Sequence, residues 1–269
     1  MAQRVILVDG ESVDRLPADD RGLQYGDGVF RTLRVVAGEP RWWDEQIARL
    51  TEDCGRLGLS APDSALWQAD LARLSPDLNE GVLKLLVTRG SGPRGYRQPA
   101  ATPVRRLVYF DPGLPAAKPL AGLNLRICSL RLGWQPRLAG VKHLNRLENV
   151  LARAEWDALD IDEGVRLDQA ENVISGVMHN LFIWRRNALL TPRLDQCGVA
   201  GVARSRLMRL ATAQGIEVQE TNLSLQAVYE AEEVMLCNSV TGLRRVARLA
   251  SKSWPDPQIS GDLAALLDA

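Results

Sequence analysis

The sequence is poor in the residues that build metal centres and disulfide frameworks. It has four cysteines and two histidines among 269 residues. The cysteines are widely separated, form no Cys-x-x-Cys pair and have no histidine partner at the spacing of a zinc site. Neither histidine accompanies a Gly-x-Ser-x-Gly serine, so serine hydrolase chemistry has no support. We therefore expect four reduced, mostly buried thiols and no metal.

The sequence also lacks a surplus of charge and any long apolar run. Lys plus Arg equals Asp plus Glu at 33 each, which excludes a strong overall attraction to nucleic acid or membrane. No stretch approaches the roughly 18 apolar residues of a membrane helix, and the first apolar run is too short for a signal peptide. These absences predict a cytoplasmic protein that acts on a small molecule.

Apolar residues are plentiful, at 46% of the chain, which is enough for a substantial core. Predicted strands and helices occur in both halves, and residues 113–119 have the Pro-rich composition of a linker. We predict an α/β (α+β) protein with a small N-terminal domain, residues 1–112. A larger, sheet-rich C-terminal domain, residues 120–269, would contain Lys142.

Lys142 stands at the predicted start of a helix. Pro136 and Gly140 precede it in a segment typical of a loop, whereas apolar residues recur at helical spacing from Leu144 to about Leu159. Such a lysine is usually a solvated surface charge. Alternatively, its amine points into a cleft, where desolvation lowers its pKa and makes it a nucleophile. The spacing alone favours the surface interpretation.

Two glycine-rich loops lie in the first half. Residues 19–30 contain three glycines and three acids, but the acids lack the spacing of a calcium loop. Residues 89–96 follow a predicted strand, residues 81–88, yet they lack the Gly-Lys-Ser/Thr ending of a phosphate loop. A mobile loop that offers Arg94 to an anionic substrate fits better.

Three further positions could bind an anion. Arg49 lies off the apolar stripe of a predicted helix, where an arginine is normally solvated. Gly198 and Gly201 precede another predicted helix, whose first N–H groups could hold a phosphate. The segment 238–242 carries hydroxyl and amide groups after the last buried strand. A simple loop remains an open alternative for the glycine segment.

Taken together, the motifs resemble the fold-type IV pyridoxal-phosphate enzymes, which have the D-amino acid aminotransferase-like fold. The resemblance runs from about Val5 to Val246. It is most similar to the 4-amino-4-deoxychorismate lyases, because the aminotransferases carry other residues in the lysine motif and the RGxGxRGY loop. The motifs are DRGLQYGDGVFRTLRV, QIARL, RGSGPRGY, GVKHLNRLENVLAR, NLFIW, LLTPRLDQCGVAGVAR and EVMLCNS.

The resemblance implies that pyridoxal 5′-phosphate (PLP) lies in a cleft between the two domains, bound covalently to Lys142, which would also be the catalytic base. Thr32 corresponds to a threonine near the reacting centre. The implied substrate-binding residues are Tyr25, Arg94 and Tyr96, while Gly26, Asp27 and Gly28 would be structural. The implied phosphate-binding residues are Arg49 and the backbone of Val202 and Ala203, with Asn238 and Ser239 as weaker candidates.

One position departs from the family pattern D-x-x-G-x-V-x-E-G-x-x-x-N-L-F. There the glutamate bonds the pyridine nitrogen and keeps it protonated, which makes the ring an effective electron sink. Ser175 takes the glutamate's place in this chain. It offers one hydrogen bond and no charge to a pyridinium. Glu171 could substitute only after a rearrangement of its loop, and Arg31 stands where many relatives have an acid.

A weaker electron sink should impair transamination, which depends on a long-lived carbanion. The lyase reaction is less demanding, because loss of pyruvate creates an aromatic ring. The resemblance therefore implies a homodimeric lyase that converts 4-amino-4-deoxychorismate to 4-aminobenzoate and pyruvate, a step of folate biosynthesis. Two alternatives stay open: an aminotransferase of branched-chain or D-amino acids, and a non-catalytic PLP-binding homologue that lost activity with the family glutamate.

Overall fold

The computed structural model describes residues 4–74, 78–99, 103–114 and 122–269. These residues form two compact units, each with its own sheet and helices, which confirms the predicted α/β class. The first unit contains the described residues up to 114 and also Val141–Asn145, and the rest belongs to the second unit.

The division differs from the predicted domains in one respect. Lys142 belongs to the first unit, whereas the sequence places it in the second domain. The difference arises because Val141–Asn145 pairs with a strand of the first unit. The predicted linker, residues 113–119, lies mostly outside the described residues, and the domain limits stay a prediction.

The first unit is built on a five-stranded antiparallel sheet in the order β1-β5-β4-β2-β3. Alternation along β4 buries Leu83, Leu85 and Val87, and helices α2 and α3 contribute Leu50 and Trp67 to the same core. Its elements are β1 (Val5–Val8), α1 (Arg21–Tyr25), β2 (Gly28–Val36), β3 (Glu39–Pro40), α2 (Trp43–Arg56), α3 (Ser64–Leu74), β4 (Gly81–Thr88) and β5 (Arg105–Pro112).

The second unit has a ten-stranded mixed sheet, in which β6 pairs in parallel with β7 and β14. Its elements are β6 (Leu123–Ile127), α4 (Leu147–Arg153), β7 (Glu163–Leu167), β8 (Asn172–Gly176), β9 (Asn180–Arg185), β10 (Ala188–Pro192), α5 (Val202–Ala213), β11 (Glu217–Thr221), β12 (Leu223–Ser224), α6 (Leu225–Tyr229), β13 (Glu233–Asn238), β14 (Gly242–Leu249), β15 (Lys252–Ser253) and α7 (Ser260–Asp268).

The helix after Lys142 is shorter than its apolar pattern predicts. It begins at Leu147 and ends at Arg153, so Lys142 lies five residues before it in an extended segment. The backbone of residues 143 and 144 pairs with the first unit instead of entering the helix. Lys142 is therefore not at a helix N-terminus, and the prediction of a loop-to-helix junction was wrong.

All four cysteines are buried and unbonded, as predicted. Burial raises the pKa of the Cys54 and Cys237 thiols to about 12, so neither is a nucleophile at neutral pH. Within the described ranges, the His, Cys, Asp and Glu side chains form no group of three or more suited to a metal ion. No helix in the described part of the chain has the length and apolarity needed to cross a membrane.

Candidate active site

The segment Val141–Asn145 lies against the first residues of β2. Phe30 N donates to the Lys142 carbonyl over 2.9 Å, and Leu144 N donates to the Gly28 carbonyl over 2.9 Å. A Cβ on Gly28 would lie 2.3 Å from the Val87 carbonyl oxygen and 2.7 Å from the Leu144 side chain. Glycine is therefore required at this position for the lysine segment to approach the sheet.

A buried carboxylate fixes the backbone of Lys142. Asp53, on α2, accepts a 3.0 Å hydrogen bond from Lys142 N and pairs with the guanidinium of Arg31. Both side chains of this pair are only 2% exposed. Burial lowers the pKa of Arg31 and nearby Arg49 adds to this effect, while Asp53 opposes it. The ion pair with Asp53 explains why an arginine stands at position 31, which the sequence alone did not explain.

The Lys142 amine lies on the open face of the first sheet. Its Nζ is 4.5 Å from the centroid of the Phe30 ring, and Lys84 Nζ is 5.0 Å from the same centroid. Thr32 is two residues from Phe30 in β2 and directly opposite Lys84 in β4, so it shares this face. Burial lowers the pKa of Lys84, with a smaller contribution from Arg4. The face therefore combines two amines, a hydroxyl and an aromatic ring.

The glycine-rich loop after β4 is bound to α1. Gly95 N donates to the Tyr25 hydroxyl over 3.1 Å, and Arg21 donates to the Gly95 carbonyl over 2.8 Å. The rings of Tyr25 and Tyr96 meet edge to face, with centroids 5.5 Å apart. The structure thus brings two predicted substrate-binding residues together. Tyr96 is 86% exposed, and neighbouring Arg94 is also exposed.

Arg49 lies on α2, four residues before Asp53. It is partly buried, forms a 2.6 Å ion pair with Glu52, and is close enough to lower the pKa of Arg31. A second cation thus lies near the buried Arg31–Asp53 pair. Its charge suits a phosphate better than an apolar ligand.

In the second unit, the loop before α5 leaves the helix start open. Asn180, from the NLFIW motif, accepts from Gly201 N over 3.2 Å and donates to the Val199 carbonyl over 2.8 Å. A Cβ on Gly201 would lie 2.4 Å from Asn180 Oδ1, so glycine is needed here. No described side chain caps this end of the helix. The N–H groups of Val202 and Ala203 belong to its first turn, where helix geometry provides no acceptor.

Asn238 shapes the turn that follows β13. Its Oδ1 accepts from the backbone of Val240 and Thr241, at 2.9 Å and 2.8 Å, and from the Thr241 hydroxyl. This oxygen is therefore engaged inside the turn. Ser239 is half-buried in the same turn, and both residues stay predictions as phosphate-binding residues.

The structure reveals a partner for Ser175 that the sequence did not indicate. Arg166 Nη2 donates to Ser175 Oγ over 3.1 Å, and both residues are buried. Glu171 cannot replace the family glutamate as placed, because its carboxylate pairs with Arg131 through two hydrogen bonds. Arg166 had no sequence signal beyond its charge in a short strand, β7, whose other charged residue is Glu163.

Glu163 and His179 form a second buried polar group. Glu163 Oε2 lies 2.5 Å from His179 Nδ1, and the carboxylate also accepts from Gly164 N and Val177 N. Burial alone would raise the pKa of Glu163. The hydrogen bond and charge of His179, with the backbone donors, outweigh burial, so the pKa lies below its usual 4.5.

This pKa predicts a loss of stability in acid. A carboxyl whose pKa is lower in the folded state stabilises fully above its unfolded pKa, and that contribution is lost as pH falls through the folded pKa. We expect the free energy of unfolding to drop below about pH 4.5, and to drop less steeply in Glu163→Gln. In His179→Gln the loss should also be smaller, because the folded pKa of Glu163 then rises toward its unfolded value. Denaturant titrations at several pH values measure this, and identical slopes in all three proteins would contradict the assignment.

Comparison with known proteins shows which family this chain resembles over nearly its whole length. The family model for amino-transferase class IV matches residues 28–249. Aminodeoxychorismate lyase of Vibrio harveyi is 35% identical over 263 residues, which cover 96% of this chain and 95% of the relative. The crystal structure of 4-amino-4-deoxychorismate lyase from Pseudomonas aeruginosa superposes with a TM-score of 0.93 at 43% identity, covering 98% of both chains.

A third relative combines two activities in its name. The bifunctional aminodeoxychorismate lyase / D-amino acid transaminase of Mycobacterium tuberculosis is 25% identical and covers 98% of both chains. The matched region includes every residue predicted at the site except Tyr25, Gly26 and Asp27. The chain therefore belongs to the amino-transferase class IV family of fold-type IV enzymes, whose cofactor is pyridoxal 5′-phosphate.

Proposed function

We propose that the protein is a PLP-dependent lyase that converts 4-amino-4-deoxychorismate to 4-aminobenzoate and pyruvate. Similarity to two lyases over nearly the whole chain supports this activity. The observation that carries the proposal is the position of the Lys142 amine, on the sheet face that also presents Thr32 and Lys84. Two amines and a hydroxyl are the groups that a dianionic, amine-bearing substrate requires.

The residues fit the chemistry of PLP. Lys142 would supply a primary amine for its aldehyde. Arg49 in the first unit and the uncapped start of α5 in the second each carry donors that suit a phosphate. Ser175 offers a hydroxyl to the ring nitrogen. When bound, PLP withdraws electrons from the amine-bearing carbon of the substrate and makes its proton removable.

The remaining steps are assigned to side chains of this chain. We assign Lys142 as the base that removes the proton from the amine-bearing carbon. The Thr32 hydroxyl would pass a proton to the departing enolate oxygen, since a hydroxyl can both accept and donate. Lys84 and Arg94 would bind substrate carboxylates, and the aromatic side chains of Tyr25 and Tyr96 would cover the ring. Asp53 holds the Lys142 backbone in place.

Lys84→Met tests the role of the second amine. Loss of a charged hydrogen bond to a substrate carboxylate costs about 1.5–3 kcal/mol, so we expect KM to rise about 10- to 100-fold, with a much smaller change in kcat. Lys252→Met, which removes an exposed lysine of β15 in the second unit, is the matched control. Steady-state kinetics measure both constants. An unchanged KM in Lys84→Met would show that Lys84 does not bind the substrate.

The activity itself is tested with purified protein, PLP and 4-amino-4-deoxychorismate alone. Release of 4-aminobenzoate and pyruvate without any keto acid supports the lyase. Formation of glutamate from 2-oxoglutarate and another amino acid, without pyruvate release, would instead support an aminotransferase, the second activity in the name of the Mycobacterium relative. A bound-PLP absorbance band with no turnover in either assay would identify a non-catalytic homologue.

Two further expectations belong to this proposal. We expect a homodimer, as the family resemblance implies, and a cytoplasmic location. Sedimentation at several protein concentrations measures the first, and a monomer at the concentrations used for assays would exclude it.

A further inference from the structure

A β-bulge sets the direction of Ser175. The antiparallel register between β7 and β8 pairs Leu167 with Val173 and then shifts, so that Arg166 lies opposite Ser175. Ile174 is the extra residue. Leu167 and Val173 belong to the apolar core of the unit, and without the shift Ser175 would share the face of Val173. The bulge instead places it beside a guanidinium.

The guanidinium of Arg166 is buried and only partly satisfied. The residue is 3% exposed, and Nη2 donates to Ser175 Oγ. Its Nε and Nη1 are buried and have no hydrogen-bond partner among the described residues. Burial lowers the pKa of Arg166, while Glu148 is the main charge that opposes this effect. A buried cation with open donors indicates a site that is completed by a ligand.

The hydrogen bond fixes what the serine can do. A guanidinium has donors and no acceptor, so the Ser175 oxygen must be the acceptor. The serine's own proton must then point away from the guanidinium. Ser175, which is 4% exposed, is thus presented as a donor. A glutamate at this place would be an acceptor.

Resting on the proposed function, and on the place of Ser175 in the cofactor motif, we propose that Ser175 and Arg166 hold the ring nitrogen of PLP unprotonated. Ser175 donates its hydroxyl proton to the nitrogen lone pair. Arg166 acts through Ser175 as a positioning residue, and its positive charge disfavours protonation of the ring nitrogen. A neutral pyridine is a weaker electron sink than a pyridinium. The pair therefore favours elimination, which aromatisation assists, over transamination.

The test is the ¹⁵N NMR shift of PLP labelled at the ring nitrogen and bound to the full-length protein. Free labelled PLP, titrated in the same buffer, supplies the shifts of the protonated and unprotonated forms. We expect the unprotonated shift in the wild type, and a change to the protonated shift in Ser175→Glu. In Ser175→Glu the half-reaction with D-alanine should accelerate about 10-fold or more, equivalent to ~1.4 kcal/mol.

Arg166 is tested through the same signal. Arg166→Lys keeps the charge and should keep the unprotonated shift, whereas Arg166→Met should move the signal toward protonation at neutral pH. Arg106→Met, which removes a partly buried arginine paired with Asp70 in the first unit, controls for general loss of stability. If Arg166→Met does not fold, the ¹⁵N shifts of the wild type and of Ser175→Glu still show whether the ring nitrogen is unprotonated.

Two results would overturn the inference: a protonated ring nitrogen in the wild type, or a shift unchanged by Ser175→Glu. Neither affects the proposed lyase, which is judged by pyruvate release. Conversely, a protein that binds PLP with an unprotonated nitrogen but releases no pyruvate would refute the lyase and leave the nitrogen assignment intact.

Discussion

Lys142→Ala is expected to abolish release of pyruvate from 4-amino-4-deoxychorismate, lowering kcat by about 10⁴-fold or more, since one amine serves both as cofactor anchor and as base. The variant should also lose the visible absorbance band of lysine-bound PLP. The fold should be unaffected, because it is the backbone of Lys142, unchanged in alanine, that bonds Asp53 and Phe30. Spectra, kinetics and thermal unfolding of the two proteins measure these three effects.

Lys84→Ala is a matched control, because Lys84 Nζ approaches the same Phe30 ring from β4. It should keep the absorbance band while substrate binding weakens. Borohydride treatment followed by peptide mapping adds a direct check, since the reduced cofactor should be found on Lys142. Retention of the band in Lys142→Ala, or label on Lys84, would refute the assignment.

Asp53→Ala should cost about 3–5 kcal/mol of unfolding free energy, the typical loss when one partner of a buried ion pair is removed. Arg31 would be left as an uncompensated charge, and both side chains are 2% exposed in the wild type. The change also deletes the acceptor of the Lys142 backbone N–H, so PLP binding should weaken. Denaturant unfolding and PLP titration measure the two effects.

The neighbouring residue offers the control. Glu52 is more than half exposed and pairs with Arg49, so Glu52→Ala should cost about 1 kcal/mol or less. The double variant Arg31→Met/Asp53→Leu should recover most of the stability, because an apolar pair of similar volume avoids the unpaired charge. Equal losses in Asp53→Ala and Glu52→Ala would show that the buried pair is not an important contribution.

Local sequence patterns predicted the strands well where the apolar alternation is regular. The bounds of β4 agree with the strand predicted for residues 81–88, because it is an apolar run closed by loop residues. Helix limits near the site were less accurate. The apolar repeat after Lys142 forms a helix only from Leu147 onward, because residues 143 and 144 pair with β2 instead. This pairing joins segments more than 110 residues apart, so the local sequence pattern could not predict it.

The candidate site was predicted in part. Tyr25 and Tyr96 meet, and Lys142 shares a sheet face with Thr32. These residues were named through the family resemblance, and their roles stay predictions. Asp53 looks like an ordinary acid of an amphipathic helix in the sequence. Arg166 becomes meaningful only through a one-residue shift of strand register. Such effects depend on tertiary pairing, which no local pattern encodes.

The first unit is discontinuous along the chain, which has a consequence for its biosynthesis. Val141 is fully buried in the core of the first unit, together with residues from β2 and β4. During translation this core stays incomplete until the ribosome has added residues 117–140, which precede Val141. The first unit therefore cannot complete this core before the second unit has begun to be made, and Lys142 arrives with the last piece of that core.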